Sequence, residues 1–223
     1  MTSLPIALVV GGSSGLGYEI AKNLVSRYDV HITGRTDPSD KRMLFHSLHL
    51  SGSASPLQSN IHGLIEKLPK ISLLAYCAGA VQLGKIDSLS LAQIEDQMSV
   101  GIVAPAIFTK ELLLAQGKID TLLVITSTTQ RIARENEPMY AASKAGLGML
   151  AKSLSLDTRI GKTLVAGPGG MKTKFWDDTG ISMDGFLDPA PVAMKIVGEL
   201  EGDYRYRHIE IPRQTGVVTT VHD

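Results

Sequence analysis

The sequence predicts an α/β fold, a doubly wound parallel sheet with helices on both faces. Three observations carry that prediction. Short runs rich in Val, Ile and Leu alternate with longer amphipathic stretches along the chain, the pattern of successive β-α-β units. Several of these runs are almost continuously apolar, as strands covered on both faces are. A glycine-rich turn, Gly11-Gly12-Ser13-Ser14-Gly15-Leu16-Gly17, stands between the first run and the first amphipathic stretch.

Taken in order, the runs at 4–10, 30–33, part of 43–50, 71–77, 119–126, 163–166 and 208–211 are the expected strands. The stretches at 16–27, 55–68, 90–116, 138–160 and 189–201 are the expected helices. Right-handed crossovers between parallel strands then wind the chain over both faces. Ligands of such sheets bind beyond the C-terminal ends of the strands, so the residues just after each run are the candidates for function.

Composition fits this plan. The 223 residues are 43% hydrophobic and 20% charged, enough to bury one large core and too apolar for disorder to dominate. One domain is expected over 1–215, with a tail over 216–223 that is disordered or used in assembly. Lys+Arg and Asp+Glu are both 22, so no overall basic field draws a nucleic acid or an anionic membrane. The single Cys77 excludes an internal disulfide and suits a reducing, cytoplasmic compartment. The first apolar run lacks the basic flank and length of a leader, and no run reaches the roughly 18 residues of a membrane span.

The turn has the spacing G-x-x-x-G-x-G. Gly11 suits the tight turn, Gly15 a close backbone approach to a pyrophosphate, and Gly17 close packing of helix on strand. The N–H groups and dipole of a helix start favour phosphate, and the Ser13 and Ser14 hydroxyls add donors. A ligand-free β–α turn would use the same residues. The second run ends in Gly34-Arg35-Thr36-Asp37. Arg35 there matches the 2′-phosphate of NADP(H), while Asp37 is the rival that would face the 2′-hydroxyl of NAD(H). Arg35, and with it NADP(H), is the favoured reading.

Ser127 follows the 119–126 run, and Tyr140 and Lys144 follow on the next expected helix. Residues four apart share a helix face. By itself such a pair is often a surface contact, but the upstream Ser and glycine turn give it a chemistry. A free Tyr has a pKa of about 10. An ammonium ~4 Å away at an effective dielectric of ~20 contributes about 4 kcal/mol, or about three pKa units. Tyr140 is then a general acid/base near neutrality, and Ser127 a donor to the oxygen where charge develops.

Together these features resemble the short-chain dehydrogenase/reductase family over nearly the whole chain. Gly11, Gly15 and Gly17 match its cofactor glycines, and Ser127, Tyr140 and Lys144 its Ser–Tyr–x–x–x–Lys pattern. Ala78-Gly79 match the second half of its N-N-A-G segment. Pro168-Gly169 and Thr173 match its P-G-x-x-x-T segment beside the nicotinamide. The resemblance implies a Rossmann-type sheet of about seven strands and a nicotinamide cofactor held by these residues together with Ser13, Ser14, Leu16 and Arg35. It also implies hydride transfer between a carbonyl and an alcohol, with Lys144 lowering the Tyr140 pKa and holding ribose, and a homodimer or homotetramer. Five positions depart from the pattern: Val10, the pair Tyr76 and Cys77 in place of two Asn, His49, and Gly101 where the family has its active-site Asn. Gly101 motivates an alternative, an NADP(H)-binding sensor or scaffold with impaired catalysis.

The stretch 170–188 is long for a loop. Met171, Phe175, Trp176 and Phe186 there either close over an apolar substrate or pack beneath the loop. Arg131, Arg134 and Glu135 either line the mouth or are solvated charges. No set of His, Cys and carboxylates has metal-site spacing, and Cys77 reads as a core residue.

Overall fold

The computed structural model describes residues 4–177 and 179–222. β1 (Ile6–Val10) shows how the sheet is built. Successive side chains of a strand point to opposite faces. Ala7 and Val9 enter one core with Leu16, Ile20 and Leu24 of α1 (Gly15–Leu24) and Val192, Ala193 and Ile196 of α6 (Pro189–Gly198). Leu8 and Val10 enter the other, with residues of α2 (Ala54–Ile65), α4 (Ala104–Gln116) and α5 (Pro138–Leu154). The sheet is therefore apolar on both faces, as the continuous runs require.

The remaining strands are β2 (Asp29–Gly34), β3 (Met43–Ser47), β4 (Ile71–Tyr76), β5 (Ile119–Ile125), β6 (Ile160–Pro168), β7 (Tyr206–Ile211) and β8 (Thr219–His222). They lie in the order β3-β2-β1-β4-β5-β6-β7-β8. β1 to β7 are parallel, and β8 runs antiparallel to β7. The chain winds outward in one direction from β1 and in the other from β4. Between those two strands lies the switch point, where a crevice opens beyond the strand ends.

Three expectations need correction. The sheet has eight strands, because part of the expected tail, Thr219–His222, pairs with β7 as an edge strand. The β-branched Thr219-Thr220-Val221 suits that role. The expected helix 138–160 stops at Leu154, and β6 begins at Ile160 rather than 163. Asp157 accepts from the Arg159 N–H at 3.0 Å in the intervening turn, and the opening Ile-Gly-Lys of the strand carries little apolar signal. The expected helix 90–116 is divided into α3 (Leu91–Met98), a π-helical turn Ser99–Val103, and α4. Pro105 cannot donate to residue 101, and its ring crowds that carbonyl; widening the preceding turn relieves both.

The continuous helical stretch Leu91–Gln116 contains an 18-residue window of mean hydropathy 1.6, which passes the length and composition test for a span that the sequence reading excluded. Half of that window is buried inside the fold. Its inward Glu111 accepts from Gln58 at 2.8 Å and contacts His62 at 2.9 Å. Packing on the sheet accounts for the apolar content.

Candidate active site

The crevice collects the sequence candidates from five strand ends. Gly11 has φ 78° and donates its N–H to Thr33 Oγ1 at 3.3 Å. A Cβ there would fall 2.7 Å from the Cα and N of Ala78, so the two strand exits can pass each other only because residue 11 has no side chain. Gly17 faces the carbonyl of Gly11, and a Cβ on it would lie 2.2 Å from that oxygen. Leu16 is buried in the core beneath. Ser14 flanks α1 without any side-chain cap, which leaves first-turn N–H groups for an anion. Thr173 packs 3.4 Å from the Cβ position of Gly15. Pro168 ends β6, and Gly169 donates to Ile211 O at 2.9 Å.

At the end of β2, Ser13 lies on Gly34, where a Cβ would approach Ser13 Oγ to 2.0 Å. Arg35 is exposed beside this contact. The rival Asp37 already accepts from the Ser39 N–H at 2.7 Å, holding a turn in which Ser39 has φ 58°.

Ser127, Tyr140 and Lys144 come together and are all buried. Ser127 leaves β5 in an extended conformation, and its hydroxyl bonds Thr129 Oγ1 at 3.0 Å and the Thr129 N–H at 3.2 Å. Lys144 Nζ lies over the Tyr140 ring, 5.8 Å from its centroid, and donates to Ile125 O at 3.0 Å.

The electrostatics correct the sequence reading. Burial pushes the Tyr140 phenol up to about 12, opposed by its hydrogen bond with Ser127. Burial also lowers Lys144 to about 8. The ammonium is tied to a backbone carbonyl, and loss of hydration dominates the shift of both groups. The Cys77 thiol is likewise held up at about 12 by burial.

Gly101 sits in the π-helical turn against α5. A Cβ there would fall 2.6 Å from Ser143 Cβ. Ser143 is fixed between Gln97 Nε2 at 2.9 Å and the Tyr140 carbonyl at 2.8 Å. Tyr76, in place of the first Asn, donates to Val100 O at 2.5 Å and packs edge-on against Phe108. The widened turn and the close helix approach therefore leave no room for an asparagine. Gly101→Asn is expected to destabilise the protein by about 1–3 kcal/mol through overpacking, read as a lowered melting temperature, rather than to improve it.

Of the loop charges, Arg131 pairs with Glu210 at 3.0 Å and Glu135 with Lys85 at 2.7 Å. Arg134 lies 3.7 Å from Glu137. Sequence reasoning passed over Thr129 and Glu137, which approach each other at 3.5 Å beside Ser127. The only signals were a hydroxyl two residues after Ser127 and a carboxylate three before Tyr140. In the 170–188 stretch, Phe175 lies 6.0 Å from the Tyr140 ring and 3.3 Å from the Cβ position of Gly79. Gly79 also leaves Lys144 Nζ 3.5 Å from that position. Trp176 stacks edge-on against Phe186 at 5.4 Å. This cluster roofs the Tyr140 side of the crevice. Among the described residues, no three His, Cys or carboxylate groups converge as a metal site.

The 2-dehydro-3-deoxy-D-gluconate 5-dehydrogenase of Formosa agariphila is 21% identical over 167 residues, covering 68% of this chain; the chain spans 63% of that relative. The ligand-free aldohexose dehydrogenase of Thermoplasma acidophilum superposes with a TM-score of 0.79 at 19% identity, covering 95% of this chain and 93% of that one. The alcohol dehydrogenase of Thermococcus sibiricus, complexed with 5-hydroxy-NADP, superposes with a TM-score of 0.79 at 18% identity, covering 93% and 96%. These structures share the fold. A family description, short chain dehydrogenase, matches residues 5–182, the span that holds both the glycine turn and Ser127, Tyr140 and Lys144. The chain belongs to the short-chain dehydrogenase family.

Proposed function

We propose that this protein is a nicotinamide-dependent oxidoreductase that interconverts a carbonyl and an alcohol, with NADP(H) preferred. One observation carries the reading: a buried Ser127, Tyr140 and Lys144 converge beside the glycine turn at the switch point of the sheet. The residues present suit a dinucleotide. The uncapped start of α1 offers N–H groups to the pyrophosphate. Gly79 leaves open the space beside Lys144 that a side chain would fill. Arg35 is exposed where a 2′-phosphate lies in such folds.

The bound cofactor supplies or accepts the hydride. Ser127 donates to the substrate oxygen, and Tyr140 gives that oxygen its proton, or takes it in the reverse direction. Lys144 holds the ribose. The aromatic roof of Phe175 and Trp176 excludes water. Exposed Leu114 on α4 and Met149 on α5 support the expected self-association.

The test is a nicotinamide-absorbance screen over aldehydes, ketones and alcohols with NADPH and NADH in turn. NADPH-dependent turnover is expected. Arg35→Ala should raise KM for NADPH about tenfold, the loss of one charge-assisted contact, and leave KM for NADH unchanged. An equal effect on both would assign Arg35 no part in the preference. Tight NADPH binding with no turnover across the panel would favour the sensor or scaffold that Gly101 suggests.

A further inference from the structure

Tyr140 is buried, yet each turnover must change its protonation state and then restore it. Three routes lead away from the phenol. The first ends at Lys144, which is buried and donates to Ile125 O. The second passes towards Gly101, which has no side chain and no space for one. The third passes through Ser127 to Thr129 Oγ1 at 3.0 Å and on to Glu137 Oε2 at 3.5 Å. Glu137 is half-buried and reaches the surface beside the exposed Arg134, whose Nε lies 3.7 Å away.

We propose that Thr129 and Glu137 form the proton port of Tyr140, a hydroxyl relay running Tyr140–Ser127–Thr129–Glu137 to solvent. This rests on the oxidoreductase reading above and adds two residues to it. In carbonyl reduction the phenol gives its proton to the substrate oxygen. Ser127 then protonates the phenolate, Thr129 protonates Ser127, Glu137 protonates Thr129, and water recharges Glu137. In alcohol oxidation every transfer reverses, and no proton is gained or lost along the chain. Each hydroxyl both donates and accepts, so the state of Glu137 sets the direction of the whole chain. An ionised Glu137 orients the hydroxyls outwards and draws a proton from Tyr140; a protonated Glu137 orients them inwards. The 3.5 Å link is long, as catalytic hydrogen bonds commonly are before ligands bind.

Two groups modulate the port. Burial raises the Glu137 carboxyl above its ordinary range, opposed by Arg134 and by the hydrogen bond from Thr129. An ionised Glu137 in turn disfavours the Tyr140 phenolate. A carboxyl so raised is more readily protonated near neutrality than an exposed one. Reduction should therefore slow as pH rises through the Glu137 pKa, while oxidation should quicken.

The test is steady-state kinetics against pH, with NADPH and whichever carbonyl of the screening panel the wild-type protein reduces best. Glu137→Gln and Thr129→Val should each lower kcat about tenfold, while KM and NADPH affinity stay within about twofold. The pH dependence belonging to Glu137 should vanish in Glu137→Gln and persist in Glu137→Asp. Thr129→Ser, which keeps the hydroxyl, should restore the rate. The double variant should be no slower than either single one, because both break one chain. Multiplicative losses, or a pH profile unchanged in Glu137→Gln, would overturn the relay and leave the oxidoreductase reading standing. A wild-type protein that turns over nothing in the panel would overturn that reading and the relay with it.

Discussion

Tyr140→Phe is expected to lower kcat for carbonyl reduction by about 10²–10⁴-fold, the range for loss of a positioned general acid, while NADPH affinity stays within about threefold. The asymmetry follows from the geometry. Phe keeps the ring that packs 6.0 Å from Phe175 and lies under Lys144 Nζ, so the walls of the crevice remain. What disappears is the hydroxyl that bonds Ser127 and has to protonate the substrate oxygen. Losing one buried hydrogen bond costs roughly 1 kcal/mol, so the melting temperature should fall by no more than about 2–4 °C in a chain of this size. Trp176, the single tryptophan, stands in the short helical turn Lys174–Trp176 next to Phe175, and its fluorescence reports cofactor binding without turnover. Undiminished kcat in this variant would remove Tyr140 from the chemistry. Lost NADPH binding would show that the hydroxyl serves the crevice rather than the reaction.

What the sequence disclosed and what it hid follow from the range over which each feature is decided. β1 and β5 are legible because burial on both faces demands a continuous apolar run, and the glycine turn because backbone conformation and close approach restrict residue type locally. Ser127, Tyr140 and Lys144 are legible as a set because helical spacing ties two of them and a strand end fixes the third. The π-helical turn at Ser99–Val103 was hidden because its cause is a single Pro105 within an otherwise helical pattern. β8 was hidden because a short edge strand needs little apolar content. The ionisation of Tyr140 was misjudged because spacing reveals a neighbouring charge but not the burial that governs the phenol. Thr129 and Glu137 lie eight residues apart in an irregular loop, and only the path of that loop brings them to 3.5 Å.

Gly17→Ala is expected to lower the melting temperature by about 5–10 °C and to weaken NADPH binding more than tenfold. The added methyl would stand 2.2 Å from the Gly11 carbonyl oxygen and 3.0 Å from Cys77 Cβ. The first of these is backbone, and it has nowhere to retreat. Gly11 is held at φ 78° against Ala78, where its own missing Cβ already marks a 2.7 Å approach. The start of α1 must therefore lift off the sheet. Ile20, Ala21 and Leu24 on α1 are fully buried in the core that also holds Val192, Ala193 and Ile196 of α6, so the lift strains a packed helix pair. Overpacking of this kind costs about 1–3 kcal/mol and sometimes more, at about 2–4 °C per kcal/mol. The same movement displaces the N–H groups that would face the pyrophosphate, which is why affinity and stability should fall together. Gly63→Ala makes the identical chemical change inside α2, where a Cβ meets nothing within 4 Å. There it should stabilise by about 0.5–1 kcal/mol through helix propensity alone. Calorimetry and fluorescence titration of the two variants separate site-specific crowding from any general effect of alanine. A Gly17→Ala protein that melts and binds NADPH like the wild type would refute the close approach on which the cofactor turn depends.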